Sequence, residues 1–407
     1  MAVVITDSKV PFSLDPYHVS PELGFVLQAP LQELPQYYQP WMDIAWRVAD
    51  LVQSHMLRSH IDQMPLLSVE YLETHQHLRL AHLALSAMTM CYLLPRNLAV
   101  PFWEVSQCLG LPPILTHTDA VLANWKKKDP DGNLEMLITM PGGDSIRGFF
   151  LVSLLVELAA VPALRSIPTV VNGVRRGDRQ AVAAALEVIQ QSLQDMTDAL
   201  KLIHVYVEPS IFYGIIRIFL SGWKDNPAMP KGLVYEAVQA EPMEYSGGSA
   251  AQSSLLHCFD QLLGVQHEAK SGHFLQRMRD YMLPAHRSLI RDISQEPSLR
   301  DFVQREQASD PRLSRAFRLC VSGLVALRNY HINMVGRFIT VPAARARQLR
   351  LQGTAEETEA LSGAPSGALG GAPVALENRG TGGTSIMTFL KTVRDHTGHT
   401  SLQGGQL

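Results

Sequence analysis

The stretch Asp310-PRLSRAFRLCVSGLVALRNYHINMVGRFIT-Val341 decides how the rest of the chain is read. Asp310 is a good N-cap and Pro311 a good first helical residue, and glycine occurs in the stretch only at 323 and 336. The pattern therefore predicts a helix from Asp310 to roughly Val341, stopped by Pro342. Counted in steps of four and three, one face runs Phe317, Val321, Leu324, Arg328, His331, Val335, Phe338. An imidazole and, one turn before it, a guanidinium thus interrupt an apolar stripe. A buried guanidinium needs an anion, and a buried imidazole needs a hydrogen bond or a metal. For a lone histidine on an apolar face the commoner outcome is a satisfied core residue, here beside a structural ion pair, and the stripe by itself leaves both readings open.

Working outward, 407 residues suffice for a large and a small domain, each with its own core. Hydrophobic residues make up 46% and charged residues 18%, and a net charge of -3 with no basic stripe gives no electrostatic case for a nucleic-acid partner. The four cysteines, Cys91, Cys108, Cys258 and Cys320, include no C-x-x-C, which points to free buried thiols in a reducing compartment. None of the 15 histidines forms an H-x-x-x-H pair, so zinc is not expected. The longest apolar run, Phe149 to Leu164, is cut by Glu157 and Pro162, and no basic region precedes an apolar one at the N-terminus. A soluble cytoplasmic protein without a membrane partner is expected.

Residues 1 to about 40 are punctuated by proline and read as an irregular arm on the surface of the first domain. Helical patterns follow at 41–55, 69–92 and 101–108. The segment 116–143 holds a lysine cluster and the turn signal Asp129-Pro130-Asp131-Gly132, which suits an interdomain connection. Longer helices are expected at 148–160, 178–204, 209–221, 252–263 and 272–281. Almost nothing reads as a strand. Between 351 and 379 the composition turns to Gly, Ala, Pro and Glu without periodicity, the pattern of a mobile loop, and a last amphipathic helix is expected at 385–396.

Three further places put unusual groups in apolar surroundings. Phe149-Phe150-Leu151-Val152-Ser153 opens a helix with two adjacent rings and a hydroxyl. Ile211 to Leu220 has Arg217 as its single charge among Phe212, Tyr213 and Phe219; that cation must meet a carboxylate of the protein or one carried by a ligand. Gly247-Gly248-Ser249-Ala250 and Gly380-Thr381-Gly382-Gly383-Thr384 each precede a helix, where glycine permits close backbone approach and free N–H groups suit a polar ligand head.

Taken together, P-G-G-D…G-F-F-L-V-S (141–153), F-Y-G-I-I-R-I-F-L-S-G-W-K-D-N-P (212–227), Y-S-G-G-S-A-A-Q-S-S (245–254), L-R-N-Y-H (327–331) and G-T-G-G-T (380–384) resemble the indoleamine 2,3-dioxygenase family over nearly the whole chain. The second glycine of P-G-G, the tail N-P-A-M-P and His117 are more similar to the second vertebrate paralogue than to the first. The resemblance implies an all-α fold in which a small N-terminal helical domain, 1–115, packs over a large haem-binding helical domain, 144–407, through the connection 116–143. It implies a cytoplasmic, monomeric enzyme that uses haem b and O2 to cleave the indole C2–C3 bond of L-tryptophan, giving N-formyl-kynurenine, with a role in the kynurenine pathway and in immune regulation.

Carried over by position, His331 matches the proximal haem ligand, and Arg328 is placed near a haem propionate or Asp260. Ser249, with Gly248 and Ala250, and Val335 match residues close to the cofactor. Phe149, Phe150 and Phe212 match rings for the indole, Arg217 the cation for the amino-acid carboxylate, Ser153 a polar residue beside the haem, and Thr381 the loop residue at the substrate's amino end. Departures also have implications. His117 stands where the first paralogue has tyrosine and Ala120 where it has cysteine, which removes contact area and predicts weak substrate affinity. The chain is shorter between Met90 and Pro95 and before Pro141. A signalling tyrosine motif survives only loosely, as Leu233-Val234-Tyr235-Glu236-Ala237-Val238, so an alternative role as a haem-binding or phosphotyrosine adaptor rests on Tyr235.

Overall fold

The computed structural model describes residues 10–352, 380–381 and 385–402, apart from residues 93, 131 and 228. The chain is all-α. Among the described residues its strands are a two-stranded antiparallel hairpin, Lys126–Lys127 with Leu134–Glu135, closing over the predicted Asp129–Gly132 turn. The first helices are α1 (Gln39–Trp46), α2 (Val48–Gln53), α3 (Leu57–Gln63), α4 (His75–Cys91) and α5 (Arg96–Leu109). The larger part of the molecule is built on α6 (Gly143–Ala159), α7 (Val161–Arg176), α8 (Arg179–Lys201) and α16 (Pro311–Val335), with α8 packed against the other three. Most buried apolar side chains fall in one cluster from Phe12 to Leu402, with two small clusters beside it, one of Val152, Ile203, Val207 and Phe338 and one of Tyr213, Ala343 and Ala346.

Asp310 caps α16 as its sequence predicts, its side chain accepting from Leu313 N at 3.0 Å, and Pro311 opens the helix. Pro342 does not stop it. A π-turn over Gly336–Thr340 widens the helix, and the chain continues as α17 (Val341–Gln352) with Pro342 second in that segment, a first-turn position where a missing N–H costs little. Helix α7 was not expected, because Pro162 read as a break in the apolar run; Pro162 in fact sits in its first turn, and Pro168 lies within the helix. The expected helix 209–221 is split into a short turn, a π-turn over Phe212–Ile216 and a further turn, Arg217–Leu220. The expected loop 351–379 lies outside the described residues from 353 onward.

One further expectation is corrected, and one segment packs more closely than expected. The N-terminal arm packs on the large helices as well as on the small ones: Asn172 of α7 receives Phe12 N and donates to Phe12 O, both at 2.9 Å, while Leu27 N donates to Leu122 O. The segment 116–143, expected as a connection, is buried where it begins. Thr118–Ala123 is a π-turn with every residue buried, because Asp119 ties it inward. That carboxylate accepts from Thr116 N (2.9 Å) and Thr116 Oγ1 (2.7 Å) and faces His82 Nδ1 at 2.7 Å. Burial alone would raise the Asp119 pKa, but the His82 ring and the Thr116 hydrogen bonds hold it below the usual carboxylate range. Among the described residues one helical stretch, Gly143–Arg176, is long and apolar enough to cross a membrane; it is α6 with α7, and both pack on α8 in the core. All four cysteines are unpaired; Cys258 and Cys320 are buried as expected, whereas Cys108 is exposed.

Candidate active site

A cavity of about 310 Å³ lies among α6, α12 (Ser254–Leu263), α16, the C-terminal helix α18 (Ile386–His399) and the π-turns. Every residue matched by position to the cofactor or the substrate, and Ala120 with them, lines it: Phe149, Phe150, Ser153, His117, Ala120, Phe212, Arg217, Gly248, Ser249, Ala250, Asp260, Arg328, His331, Val335 and Thr381; Tyr235 does not. They come from segments more than 200 residues apart, so their convergence is a property of the fold. Three π-turns adjoin the cavity, after His117, from Phe212 and around Phe338, and each redirects side chains that a regular helix would spread around its surface.

His331 sits in the last turns of α16. Burial depresses its pKa to about 4, so the imidazole is neutral, and among the described residues no polar atom hydrogen-bonds it. Arg328, one turn earlier, places Nη2 2.8 Å from both carboxylate oxygens of Asp260 and bonds Thr397 of α18 through Nη1. The sequence left Arg328 between Asp260 and a cofactor carboxylate; the guanidinium is engaged by Asp260. His267 Nε2 reaches the same carboxylate at 2.9 Å. Although burial acts against ionisation of Asp260, Arg328 and His267 hold its pKa below normal. This network ties α12, α16 and α18 around the cavity.

Arg217 is 1% exposed and lies over the Tyr213 ring, 5.6 Å from its centroid. Burial lowers its pKa to about 10, partly opposed by the Tyr213 phenol, and it remains a cation at neutral pH. Phe149 and Phe212 approach with centroids 5.1 Å apart, and Phe212 meets Phe338 edge-on at 5.8 Å. The Ser153 hydroxyl donates to Phe149 O at 2.8 Å, and that of Thr381 to Gly248 O at 2.7 Å, so both keep oxygen lone pairs for a ligand. Thr381 O receives Gly247 N at 3.0 Å. At Gly247 and Gly222 any Cβ would collide with the crossing backbone, which explains the glycines beside Ser249.

Sequence reasoning missed Glu157, Ser253 and His257. Glu157 read as an interruption of an apolar run; its spacing from Phe149 and Ser153, four residues at each step, was the available signal. It faces His117 Nε2 at 2.9 Å, which fixes the imidazole. His257 donates to Ala251 O at 2.9 Å and receives Arg279 Nε, and burial lowers its pKa to about 4. Tyr235 is fully buried, with its hydroxyl donating to Pro113 O at 2.6 Å.

The donor set fits haem. Among the described residues there is no group of three or more His, Cys, Asp or Glu side chains placed to hold a metal, so iron held by His331 must bring most of its ligands with it, as a porphyrin does. His331, a neutral imidazole on an apolar wall, would hold the iron, and the remaining lining is largely aliphatic and aromatic.

The chain matches the family model described as indoleamine 2,3-dioxygenase over residues 13–400. It is 50% identical to human indoleamine 2,3-dioxygenase 2 over 406 residues, covering 96% of each chain. It is 43% identical to rat indoleamine 2,3-dioxygenase 1, covering 94% of each, and 35% identical to a myoglobin of Haliotis diversicolor, covering 94% of this chain and 97% of that one. On these matches, the chain belongs to the indoleamine 2,3-dioxygenase family.

Proposed function

We propose that this protein is a cytoplasmic tryptophan dioxygenase that opens the indole C2–C3 bond of L-tryptophan with O2 to give N-formyl-kynurenine, the first step of the kynurenine pathway, with a role in immune regulation. The family's cofactor is haem b. One observation carries the reading: a single cavity gathers a neutral histidine suited to haem, a pair of phenylalanine rings and a buried arginine. Haem iron, once held by His331, supplies the O2 chemistry.

The chain's own residues do the rest. Phe149, Phe150 and Phe212 form an apolar slot that takes a flat indole and excludes water. Arg217, already desolvated, offers a fixed cation to the amino-acid carboxylate. The Thr381 hydroxyl, whose proton goes to Gly248 O, presents a lone pair to an ammonium. Ser153 likewise offers acceptance rather than a proton, so its contribution is to orient the ligand. We also propose the division into a small domain, 1–115, a connection, 116–143, and a large domain, 144–407, acting as a monomer. With alanine at 120 in place of the other paralogue's cysteine, substrate affinity is low.

The Haliotis relative carries the name myoglobin, so the family also includes a protein named for something other than a dioxygenase. Purified ferrous holoprotein with tryptophan, O2 and a reductant decides the matter: formation of N-formyl-kynurenine supports the dioxygenase, and O2 binding without product supports the second reading. The phosphotyrosine alternative needs an accessible Tyr235, whose burial counts against it.

A further inference from the structure

Phe149, Ser153 and Glu157 form one stripe along α6, and all three line the cavity. Glu157 is 4% exposed, and a buried carboxylate persists only where donors meet it. Two do so at a single oxygen: Ser253 Oγ donates to Oε1 at 2.6 Å, and His117 Nε2 lies 2.9 Å from it. A carboxylate oxygen between those groups accepts, so in the neutral ring the His117 proton is on Nε2. Nδ1 is the ring nitrogen left for a ligand, and among the described residues nothing hydrogen-bonds it. The ring cannot easily turn away. Its backbone N–H donates to Gln252 Oε1 at 3.0 Å, and Gln252 Nε2 donates to Gly247 O at 2.8 Å. The preceding and following residues are held by the Thr116–Asp119–His82 cluster.

We propose that Glu157, with Ser253, is a positioning residue that fixes the Nε2–H tautomer of His117 and so makes Nδ1 a hydrogen-bond acceptor for an N–H of the bound amino acid. This rests on the tryptophan reading above and deepens it. The substrate has two such donors, the indole N–H and the ammonium, and they share the same chemistry at Nδ1. A site that presents an acceptor discriminates against a ligand of equal shape that lacks the donor, because the acceptor is then left unmet.

The test measures dissociation constants on holoprotein from ligand-induced changes in haem absorbance. The probes are L-tryptophan, 3-(1-benzothiophen-3-yl)-L-alanine, in which sulfur replaces the indole N–H, and indole-3-propionic acid, which lacks the ammonium. A hydrogen bond of ordinary net strength gives the wild type a preference of about 3- to 10-fold for tryptophan over the probe that lacks the bonded donor. His117→Phe removes the share of that preference that His117 supplies, bringing the benzothiophene ratio close to one or the propionic-acid ratio down to what Thr381 alone gives, and Glu157→Gln, which permits the opposite tautomer, goes most of the way. Whichever of the two ratios collapses identifies the donor. A wall that merely loosened would weaken all three ligands together and leave both ratios unchanged. Should His117→Phe fail to fold, Ser253→Ala carries the same expectation with a smaller change. Ratios unchanged in haem-replete variants overturn the proposal while leaving the dioxygenase reading intact; a wild type that binds no tryptophan overturns both.

Discussion

Two walls of the cavity are made in different ways. The wall built on α16 is a regular helix of 25 residues, and its cation, Arg328, is neutralised within the protein by Asp260, which His267 shares. The wall built from α6, the segment 116–123 and the turn at 212–216 is interrupted by π-turns, and its cation, Arg217, lies over an aromatic ring beside the cavity. On the first wall the polar groups satisfy one another and fix the shape. On the second, a guanidinium, an imidazole and the Ser153 hydroxyl line the cavity, where a ligand can meet them. The first is therefore suited to anchoring a cofactor and the second to reading a substrate.

The largest expected effect breaks the first wall at its centre. His331→Ala removes the sole candidate axial ligand on α16, and the purified variant is expected to retain essentially no haem, seen as loss of the Soret band with the helical circular dichroism unchanged. A normal Soret band in that variant would remove the division between the two walls. Next comes Arg328→Leu, which leaves Asp260 buried with only His267 facing it. Stripping one partner from a buried ion pair costs roughly 3–5 kcal/mol, and chemical denaturation is expected to show a loss of that order. A loss below about 1 kcal/mol would mean that Asp260 is neutralised in some other way.

Arg217→Leu tests the second wall by contrast. Haem content and folding are expected to remain near normal, while tryptophan affinity falls about 30- to 150-fold, the equivalent of about 2 to 3 kcal/mol for a charge-assisted bond. Indole, which has no carboxylate, should bind equally well to both forms. If the variant does not fold, Arg217 belongs with Arg328 as a structural cation, and the contrast between the walls disappears.

The same contrast explains what could be read from the sequence. The α16 wall was legible: Asp310, Pro311 and the 3.6-residue periodicity specify the helix, and the two polar residues on its apolar face mark the site. Phe149, Phe212 and Arg217 were likewise visible as aromatic or charged residues out of place in an apolar run. Glu157 was not recognised, because a carboxylate in such a run reads as an interruption until His117 and Ser253, 40 and 96 residues away, are brought to it. The π-turns left no periodic trace, since each adds one residue to a turn and shifts the pattern after it. Proline misled in both directions: Pro162 and Pro342 were read as breaks, whereas each occupies a first turn.

The smallest expected effect concerns what holds the second wall in place. The chain leading to His117 is pinned at successive residues: His82 Nε2 lies 3.3 Å from Pro112 O, the Tyr235 hydroxyl donates to Pro113 O, and Asp119 closes back on Thr116. Tyr235→Phe removes one pin, keeps the ring and its edge-on contact with Tyr245, and leaves a buried carbonyl without that donor. The expected cost is about 1 kcal/mol of stability, with tryptophan affinity changed less than about threefold, because the Asp119 cluster still fixes the segment. Burial also makes a separate demand on the adaptor reading: a tyrosine kinase should label Tyr235 in unfolded protein and leave native protein unmodified. Stoichiometric labelling of the native form would show that this part of the second wall opens in solution, and its role would then be exposure of a signal rather than support for His117.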